Sequence, residues 1–519
     1  MIISVCYLPD GSQGRQGELK IINNMSLDDL REARIKKLKE LKTLKINAYP
    51  IYSERTFSFR DAIANSEKLI QEKKILNLVG RVRSLRSHGS LMFLHLEDES
   101  GKIQLFFKKD LLGDKSFNLF HDVVDVGDFI EAKGAFFTTK TNELTLKVQD
   151  WKILTKSIRP LSDEWFGLKD KELRFRKRYL DLLSNRDLKE RIRIRSRIIT
   201  CLRDFLNQEG FLEVETPILQ NQAGGAIARP FKTKLNALDI DLYLRIAPEL
   251  YLKRLIVGGF EKVYEMAKCF RNEGIDFAHN PEFTMLEFYW AYSDYERLMD
   301  FTEKMFQEIF KVLSKKESFN ENNLSGMKKL RPFFDKSLPR LEYKDLFQKT
   351  TGINYAKTTK RELENFLKKE NITEFEKGDI WTLIDEIFKK VCLKKISYPF
   401  FLIHHPLSLS PLAKESDKDA NAVARFQLII DGIEIVNAYS ELNDPIIQKE
   451  RFENQQKRIQ EGEKEVHPYD KDFIEALEYG MPPTAGWGMG IDRLVALLTA
   501  SESLKEVILF PLMRPKNKS

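Results

Sequence analysis

The sequence predicts an α+β protein in which a small N-terminal β-barrel precedes a larger domain of strands and helices. Short alternating strands occupy residues 75–155, whereas amphipathic helices and apolar strands alternate from residue 185 to residue 519. A chain of 519 residues with 42% hydrophobic content is long enough for two or three hydrophobic cores.

The N-terminal part is predicted to contain a leader and a helical segment. Residues 1–24 have no amphipathic period, and we expect them to be disordered. Ser26 and Asp29 form a capping-box pattern that opens a basic helix, so residues 25–74 are assigned to a helical segment. We therefore expect Met25 to be the true start of the protein.

Residues 75–155 contain five predicted strands, with a helical segment at about 111–124 between the third and the fourth. Ile103, Leu105 and Phe107 fall on one face of their strand. This order is typical of an OB-fold barrel, which binds single-stranded nucleic acid on its open face. That face is predicted to carry cations, an aromatic ring and an amide, namely Arg81, Arg83, Arg86, Phe93 and Gln104.

A charged connector at residues 156–184 leads to the larger domain at 185–519. Within that domain, residues from about 318 to 398 become Lys/Glu-rich and helical, which predicts a helical insertion. Neither a GxxxxGK[ST] phosphate loop nor a GxGxxG fingerprint occurs, so any nucleotide would be bound by another architecture.

Composition limits the cellular environment and the binding partners that we expect for this protein. The 85 basic and 78 acidic residues give a net charge of +7, which permits a polyanionic partner without requiring one. The sequence has neither a membrane-spanning apolar run nor a secretory signal, so we expect a cytoplasmic protein. Four widely spaced cysteines without a CxxC pair predict no zinc site and no disulfides; they are Cys6, Cys201, Cys269 and Cys392.

Three separated segments carry the chemical argument. The first, LKERIRIRSRIITCLRDFLNQEG, is an amphipathic helix that ends at Gly210 and precedes a strand ending at Pro217. The second, KVYEMAKCFRNEGIDFAHNPEFTMLEFYW, is a strand, a loop and a returning strand. Its Arg271 offers forked donors suited to a phosphate, and its Phe283 can stack on a purine ring.

The third segment, PPTAGWGMGIDRLVALLT, is a glycine-rich strand followed by a helix. Gly486, Gly488 and Gly490 let the backbone approach a ligand closely, and Arg493 lies in the first helical turn. In this order the segments resemble motifs 1, 2 and 3 of class II aminoacyl-tRNA synthetases, whose catalytic fold is an antiparallel sheet flanked by helices. FRNEG, HNPEFTMLEFY, NAYSELNDP and GMGIDRL occur at the family spacing, and the resemblance extends from Met25 to Pro515.

An OB barrel ahead of this domain is typical of the subclass for lysine, aspartate and asparagine, and the pocket residues resemble those of the lysyl enzymes. Lysine carries two ammonium groups, so its site needs carboxylates at two ends. The resemblance implies Glu249 for the α-ammonium and Glu287 with Glu441 for the ε-ammonium. It implies a pocket wall completed by Gly225, Tyr289, Asn437 and Tyr439.

The resemblance also implies a reaction. The enzyme would activate L-lysine with ATP to lysyl-adenylate and pyrophosphate, then transfer lysine to the terminal adenosine of lysine tRNA. Arg271 would bind the α-phosphate and Arg493 the γ-phosphate. The remaining ATP-binding residues would be Glu273, His279, Asn280, Phe283 and Gly490.

Magnesium is the expected cofactor, and this chain departs from the commoner family pattern at its site. That pattern has two glutamates seven residues apart. The second is Glu434 here, but the first position is Gln427, which brings no charge to a hard cation. Glu441 is a further candidate ligand.

For the barrel, the resemblance implies that Phe93 stacks on a U-rich anticodon, with Arg83, Gln104 and Glu143 beside it. It also implies a homodimer built through motif 1, with Pro217 at the interface.

Three alternatives are less favoured. An aspartyl- or asparaginyl-tRNA synthetase would need a cation or an amide in the pocket, and the synthetase-like ligases that lysylate a translation factor lack an anticodon barrel. An RNA-binding regulator that retains the fold without activity is disfavoured because Arg271, Glu273 and Arg493 are all present.

Overall fold

The computed structural model describes residues 26–515, apart from 162–169, 223, 227, 316–318, 374, 376–377 and 461–468. The predicted leader at residues 1–24 lies outside the described part of the chain. Two compact units, Met1–Leu168 and Lys169–Ser519, divide the chain. In the described part of the chain, none of the helices is long and apolar enough to span a membrane.

The first unit begins with helix α1 (Leu27–Thr43). The Ser26 hydroxyl accepts a hydrogen bond from the Asp29 backbone N–H (3.1 Å), and the Asp29 carboxylate accepts one from the Ser26 N–H (2.9 Å). The predicted capping box is therefore present. Farther along α1, the Arg34 guanidinium donates to the backbone carbonyl of Val126 (2.9 Å), which ties the helix to the rest of this unit.

The remaining elements of the first unit are α2 (Phe59–Ala64), α3 (Ser66–Gln71), β1 (Leu76–His88), β2 (Leu91–Glu97), β3 (Lys102–Lys108), α4 (Lys109–Leu112), α5 (Asp114–Val123), β4 (Phe129–Thr138) and β5 (Leu144–Thr155). The five strands close into a barrel in the order β1-β2-β3-β5-β4. Ile103, Leu105 and Phe107 of β3 point into the barrel and are at most 3% exposed, as their alternation predicts.

The second unit contains thirteen short and long strands in its described residues: β6 (Leu212–Glu213), β7 (Leu219–Gln220), β8 (Lys232–Leu235), β9 (Ile240–Leu244), β10 (Lys262–Phe270), β11 (Glu282–Ala291), β12 (Arg340–Glu342), β13 (Phe400–Ile403), β14 (Glu415–Ser416), β15 (Asp419–Val423), β16 (Arg425–Ile430), β17 (Ile433–Ser440) and β18 (Thr484–Gly490). Eight of them form one sheet in the order β12-β13-β16-β17-β18-β11-β10-β6. The centre of this sheet is antiparallel, and the edge pairs β12–β13 and β10–β6 are parallel.

The helices of the second unit are α6 (Lys171–Arg176), α7 (Arg178–Ser184), α8 (Arg186–Gln208), α9 (Glu249–Val257), α10 (Tyr295–Leu313), α11 (Ser325–Phe334), α12 (Tyr343–Thr351), α13 (Lys360–Lys369), α14 (Ile380–Ile387), α15 (Pro445–Gln460), α16 (Lys471–Glu478) and α17 (Ile491–Leu498). Helices α8 and α10 pack on one face of the sheet, where Ile198 and Phe301 join Phe288 and Trp487 in the main core. Apolar side chains at helical spacing drive this packing.

The segment predicted as a helical insertion, 318–398, divides into two parts. Its first part belongs to the main domain, because α11 contributes Met327 and Leu330 to the main core and β12 joins the sheet edge. From Tyr343 onward, α12 to α14 and a π-helical turn (Phe388–Cys392) enclose a separate core around Phe347 and Leu383. The predicted fold class, a five-stranded barrel followed by a sheet with flanking helices, is confirmed.

Candidate active site

A cavity of about 360 Å³ lies over the centre of the large sheet. Strands β11, β17 and β18 form its floor, and the loop between β10 and β11 covers one side. Sixteen of the residues predicted from the sequence line it: Gly225, Glu249, Arg271, Glu273, His279, Asn280, Phe283, Glu287, Tyr289, Glu434, Asn437, Tyr439, Gly486, Gly488, Gly490 and Arg493. Glu441 and Gln427 are not in its wall.

Strand register explains why these residues meet. Glu287 lies opposite Gly488 across β11 and β18, and Gly488 lies opposite Asn437 across β18 and β17. Two residues along, Tyr289 and Tyr439 flank Gly486 in the same way. Because side chains alternate between the two faces of a strand, both rows point into the same cavity, with a glycine at the centre of each.

One end of the cavity is cationic, and we call Arg271, His279 and Arg493 the cationic end. The Arg271 backbone N–H donates to the Pro281 carbonyl (2.9 Å), which closes the loop between β10 and β11. The Arg271 guanidinium carbon lies 5.0 Å from the centre of the Phe283 ring. Its Nε is buried and finds no hydrogen-bond partner among the described residues, so a donor is left for a ligand.

Arg493 connects the two sides of the cationic end. Its NH1 group donates to the Glu434 backbone carbonyl (3.1 Å), and its NH2 group lies 3.3 Å from His279 Nε2. His279 Nδ1 lies 2.9 Å from the Asp276 carboxylate. Partial burial opposes ionisation of Asp276, but this contact and the backbone N–H groups of the same turn outweigh burial and lower the pKa of Asp276. The His279 side chain is 54% exposed, so the cationic end is open to solvent.

A buried network that the sequence did not reveal fixes the start of α17. The Asp492 carboxylate accepts hydrogen bonds from the Thr284 backbone N–H (2.9 Å) and from the Arg195 guanidinium (2.5 Å). Arg195 also donates to the Thr284 hydroxyl (3.1 Å). Thus one arginine of α8 holds β11 and α17 together beside Arg493. Asp492 stands in the quoted GMGIDRL motif, but no sequence signal pairs it with Arg195.

The opposite end of the cavity is built from carboxylates and phenols, and we call Glu249, Glu287, Glu441, Tyr289 and Tyr439 the carboxylate end. The Tyr439 hydroxyl donates to Glu249 (2.7 Å), and the Tyr289 hydroxyl donates to Glu287 (3.4 Å). Each of the three glutamates is at most 5% exposed. Burial, reinforced by the nearby Glu249 carboxylate, raises the pKa of Glu287 to about 8.

Lys253 was missed by sequence reasoning and lies behind the carboxylate end. Its Nζ is 2.6 Å from Glu249 Oε1 and 2.5 Å from Glu441 Oε2. The Glu441 carboxylate lies over Gly486, on the same face of the sheet as the cavity. A Cβ atom at Gly486 would be only 2.0 Å from Glu441 Oε1 and 2.6 Å from Tyr289 Cε1, so glycine is required next to this carboxylate. The sequence offered Glu249 and Lys253 only as an i,i+4 helical pair, a common surface pattern.

Gln427 and Glu434 contact one another on adjacent strands. The Gln427 amide nitrogen donates to the Glu434 carboxylate, and its oxygen lies 2.9 Å from His405 Nε2. Burial lowers the pKa of His405 well below its ordinary value, which keeps the ring neutral and able to donate to this oxygen. Within the described ranges, no cluster of three or more His, Cys, Asp and Glu side chains could hold a metal ion.

The outer face of the barrel carries the other predicted residues. Phe93 lies 5.0 Å from Phe106, ring centre to ring centre, and Phe106 continues the aromatic row. The Gln104 amide donates to Glu143 (2.8 Å), and His95 Nε2 is 3.4 Å from the same carboxylate. Arg83 Nε forms an ion pair with Glu97 (2.8 Å). Phe106 and His95 were missed, although both alternate with buried residues on strands that the sequence predicted.

A closed five-stranded barrel, a mainly antiparallel sheet, an arginine in the loop between β10 and β11, and an arginine at the start of the helix after β18 together define a class II aminoacyl-tRNA synthetase. A family model described as tRNA synthetases class II (D, K and N) matches residues 170–514, and one described as an OB-fold nucleic acid binding domain matches residues 76–154. The chain belongs to the class II tRNA synthetase family of the D, K and N group. The resemblance found in the sequence is confirmed.

Curated relatives are similar over nearly the whole chain. A lysine–tRNA ligase of Carboxydothermus hydrogenoformans is 45% identical over 96% of this chain and 100% of its own length. One of Thermosipho africanus is 43% identical over 94% of this chain and 97% of its own length. One of Aquifex aeolicus is 48% identical over 85% of this chain and 74% of its own length.

Proposed function

We propose that this chain is a lysine–tRNA ligase that activates L-lysine with ATP and transfers it to the terminal adenosine of lysine tRNA. The observation that carries the proposal is the carboxylate end, where Glu249, Glu287 and Glu441 converge on one side of the cavity. A substrate with two ammonium groups supplies positive charges that these carboxylates can bind. An aspartate side chain would instead be repelled there, and the names of the relatives agree with lysine.

Within this proposal, Glu249 accepts the α-ammonium of lysine, and Glu287 accepts the ε-ammonium together with Glu441. Tyr289 and Tyr439 hold Glu287 and Glu249 through their hydroxyls. The other residues of the lysine-binding wall are Gly225 and Asn437. An amino acid with a neutral side chain would still supply the α-ammonium for Glu249 but would leave Glu287 without a cationic partner, which costs several kcal/mol and underlies selectivity.

Activation places the lysine carboxylate beside the α-phosphorus of ATP. One carboxylate oxygen forms a bond to that phosphorus while the bond to the bridging oxygen of the β-phosphate breaks, and pyrophosphate leaves with the electron pair. The carboxyl group of an amino acid, whose ordinary pKa is about 3.5, is already ionised at neutral pH, so no general base is needed. Catalysis is positioning and charge stabilisation, with Arg271 at the α-phosphate.

The remaining ATP contacts are assigned to the cationic end and its neighbours. Arg493 and His279 bind the γ-phosphate, and their exposure suits a leaving group that must depart. Glu273, Asn280, Phe283 and Gly490 bind the adenosine part, where Phe283 stacks on the base. In the second step a hydroxyl of the terminal adenosine of tRNA attacks the lysyl carbonyl, and AMP leaves.

The residues present fit a magnesium ion that arrives with ATP. Glu434 brings a carboxylate to the cavity wall, and magnesium bound to phosphates keeps several waters and needs only one or two protein ligands. Glu434 would hold the ion, and Gln427 would support Glu434 through its amide nitrogen. Glu441 is paired with Lys253, which favours a lysine-binding role over a metal role. The bound ion would neutralise charge that develops on pyrophosphate.

The barrel is proposed to read the anticodon of lysine tRNA through Phe93, with Arg83, Gln104 and Glu143 beside it. Phe93→Ala should weaken tRNA charging by about 1 to 3 kcal/mol, because base stacking on an aromatic ring has that magnitude. Lysine-dependent ATP–pyrophosphate exchange should not change. Equal losses in the charging and exchange assays would contradict an independent reading role for the barrel.

We further propose a cytoplasmic homodimer in which Pro217 lies at the interface. The proposed domain limits are 75–155 for the barrel and 185–519 for the catalytic domain. Light scattering of the purified protein should give twice the chain mass, 60.7 kDa, and a monomer at micromolar concentration would contradict the dimer.

Amino-acid-dependent ATP–pyrophosphate exchange tests the function as a whole. Lysine should support exchange, whereas aspartate and asparagine should not. Exchange that follows aspartate or asparagine would replace the proposed substrate, and binding of tRNA without exchange by any amino acid would favour the RNA-binding regulator.

A further inference from the structure

We propose that Lys253 is a positioning residue for substrate selection, whose buried ammonium holds Glu249 and Glu441 as oriented carboxylates facing the ammonium groups of the amino acid. This inference rests on the proposed use of lysine. It assigns a task to a side chain that contacts neither substrate nor ATP, and it explains how three glutamates share one buried site.

The contacts of Lys253 make it the charge shared by two carboxylates at the end of the pocket. Its side chain is 0% exposed, and its Nζ lies 2.6 Å from Glu249 and 2.5 Å from Glu441. These glutamates are 192 residues apart in the chain, one on α9 and one after β17. A cation shared by two elements fixes the distance between the two carboxylates, which a helical i,i+4 ion pair alone would not do.

The surroundings of Lys253 offer it no other charged partner within the part of the chain that the structure describes. Aromatic rings close the space around its Nζ: Tyr289 of β11 at 6.0 Å, Tyr439 of β17 at 5.6 Å and Phe473 of α16 at 5.7 Å. Glu287 of β11 faces the same pocket without contacting the ammonium. Asp470, the N-cap of α16, is paired with Arg254 at 3.1 Å.

Charge balance explains why such a cation improves a site for a cationic substrate. Three carboxylates that share a dry pocket repel one another, so protons would occupy some of them and block acceptance of an ammonium group. Lys253 removes this conflict for two of the three. Burial lowers the pKa of Lys253, but Glu249 and Glu441 outweigh burial and raise it, so the ammonium stays charged. Burial raises the pKa of Glu441, and the ammonium opposes that rise.

Lys253→Met tests the proposal in lysine-dependent exchange, with Arg254→Met as the matched control. The control removes the neighbouring cation of the same helix, whose ion pair with Asp470 lies outside the pocket. Wild-type exchange with lysine is measured first, because its absence would refute the proposed function rather than the role of Lys253. At pH 7 the Lys253→Met variant should show a KM for lysine raised about tenfold or more and a KM for ATP within about twofold of the wild type.

The pH profile separates positioning from a merely structural role. Without the ammonium, which opposes the rise in the pKa of Glu441, that carboxylate should bind a proton more readily, so the KM for lysine in Lys253→Met should fall with rising pH more steeply than in the wild type. At about pH 8.5 the two proteins should approach one another. A loss of equal size at every pH, or equal losses for lysine and ATP, would overturn the proposal, as would an unchanged KM for lysine.

A double variant keeps the test decisive if Lys253→Met folds poorly. Lys253→Met with Glu441→Gln removes both charges of one buried pair, an exchange that folded proteins often tolerate. Its KM for lysine should be clearly lower than the product of the two single effects predicts, because Lys253 acts partly through Glu441. Losses that multiply between the two substitutions would show independent roles and refute the proposal.

Discussion

The two ends of the cavity differ in burial and in how their charges are satisfied. The carboxylate end is closed: Glu249, Glu287 and Glu441 are at most 5% exposed, and Lys253 pairs with two of them. The cationic end is open, with the His279 side chain 54% exposed and Arg271 Nε without a described partner. In the proposed enzyme, the closed end selects the amino acid and the open end exchanges ATP for pyrophosphate.

The largest expected effect tests the closed end. Glu287→Gln should lower kcat/KM for lysine by about 2 to 4 kcal/mol, because the neutral amide no longer balances a desolvated ammonium group. The KM for ATP should stay within about twofold in the same exchange assay. A loss shared equally by lysine and ATP would mean that the two ends are not separate sites.

The stability of the Glu287→Gln variant is the control. The pKa of Glu287 determines whether the substitution raises or lowers that stability. A pKa raised from 4.5 to about 8 means that the carboxyl favours folding below pH 4.5 and that this contribution disappears as pH rises through 8. Glutamine does not ionise. Thermal unfolding of Glu287→Gln without ligands at about pH 8 should therefore occur no lower than that of the wild type.

At the open end, Arg493→Gln should weaken the apparent binding of ATP by about 1.5 to 3 kcal/mol, the usual range for a hydrogen bond to a charged group. The KM for ATP should rise accordingly. Lysine binding measured by calorimetry without ATP should not change. Weaker lysine binding in this variant would break the comparison, because it would couple Arg493 of the cationic end to the buried carboxylate end.

The pH dependence of lysine recognition should follow Glu287. Only the ionised carboxylate accepts an ammonium group, so the KM for lysine should fall by about tenfold per pH unit below pH 8 and level off above it. The KM for ATP should not follow this curve. Exchange assays between about pH 6.5 and 8.5 measure both constants, and a flat profile for Glu287→Gln is the matched control.

The smallest effect concerns Gln427. Replacement by glutamate should add a negative charge next to Glu434 and lower the magnesium midpoint of exchange by about two- to fivefold. His405 and Glu434 hold the amide from both sides, so His405→Ala with the same titration shows whether this support matters. Coincident magnesium curves for wild type and Gln427→Glu would make Gln427 a silent replacement.

The sequence predicted the barrel because strands such as β2 and β3 alternate strictly, as Ile103, Leu105 and Phe107 illustrate. It also predicted sixteen of the residues that line the cavity, because most of them stand in or beside motifs that resemble those of a known family. Lys253 and Arg195 escaped prediction for a different reason. Each acts through a partner brought close only by tertiary packing, Glu441 in one case and Asp492 in the other, and a single sequence does not contain that pairing. Pro217 as an interface residue stays a prediction.

Gly486 limits how the amino-acid preference of this fold can drift. Because any Cβ at this position would collide with Glu441 and Tyr289, a larger residue there requires simultaneous changes at those two positions. Substitution of Gly486 alone is therefore not expected to let the pocket accept a new substrate. Laboratory evolution toward other amino acids should begin with paired libraries at positions 486 and 441, in which Lys253 is varied as well so that no buried charge is left alone.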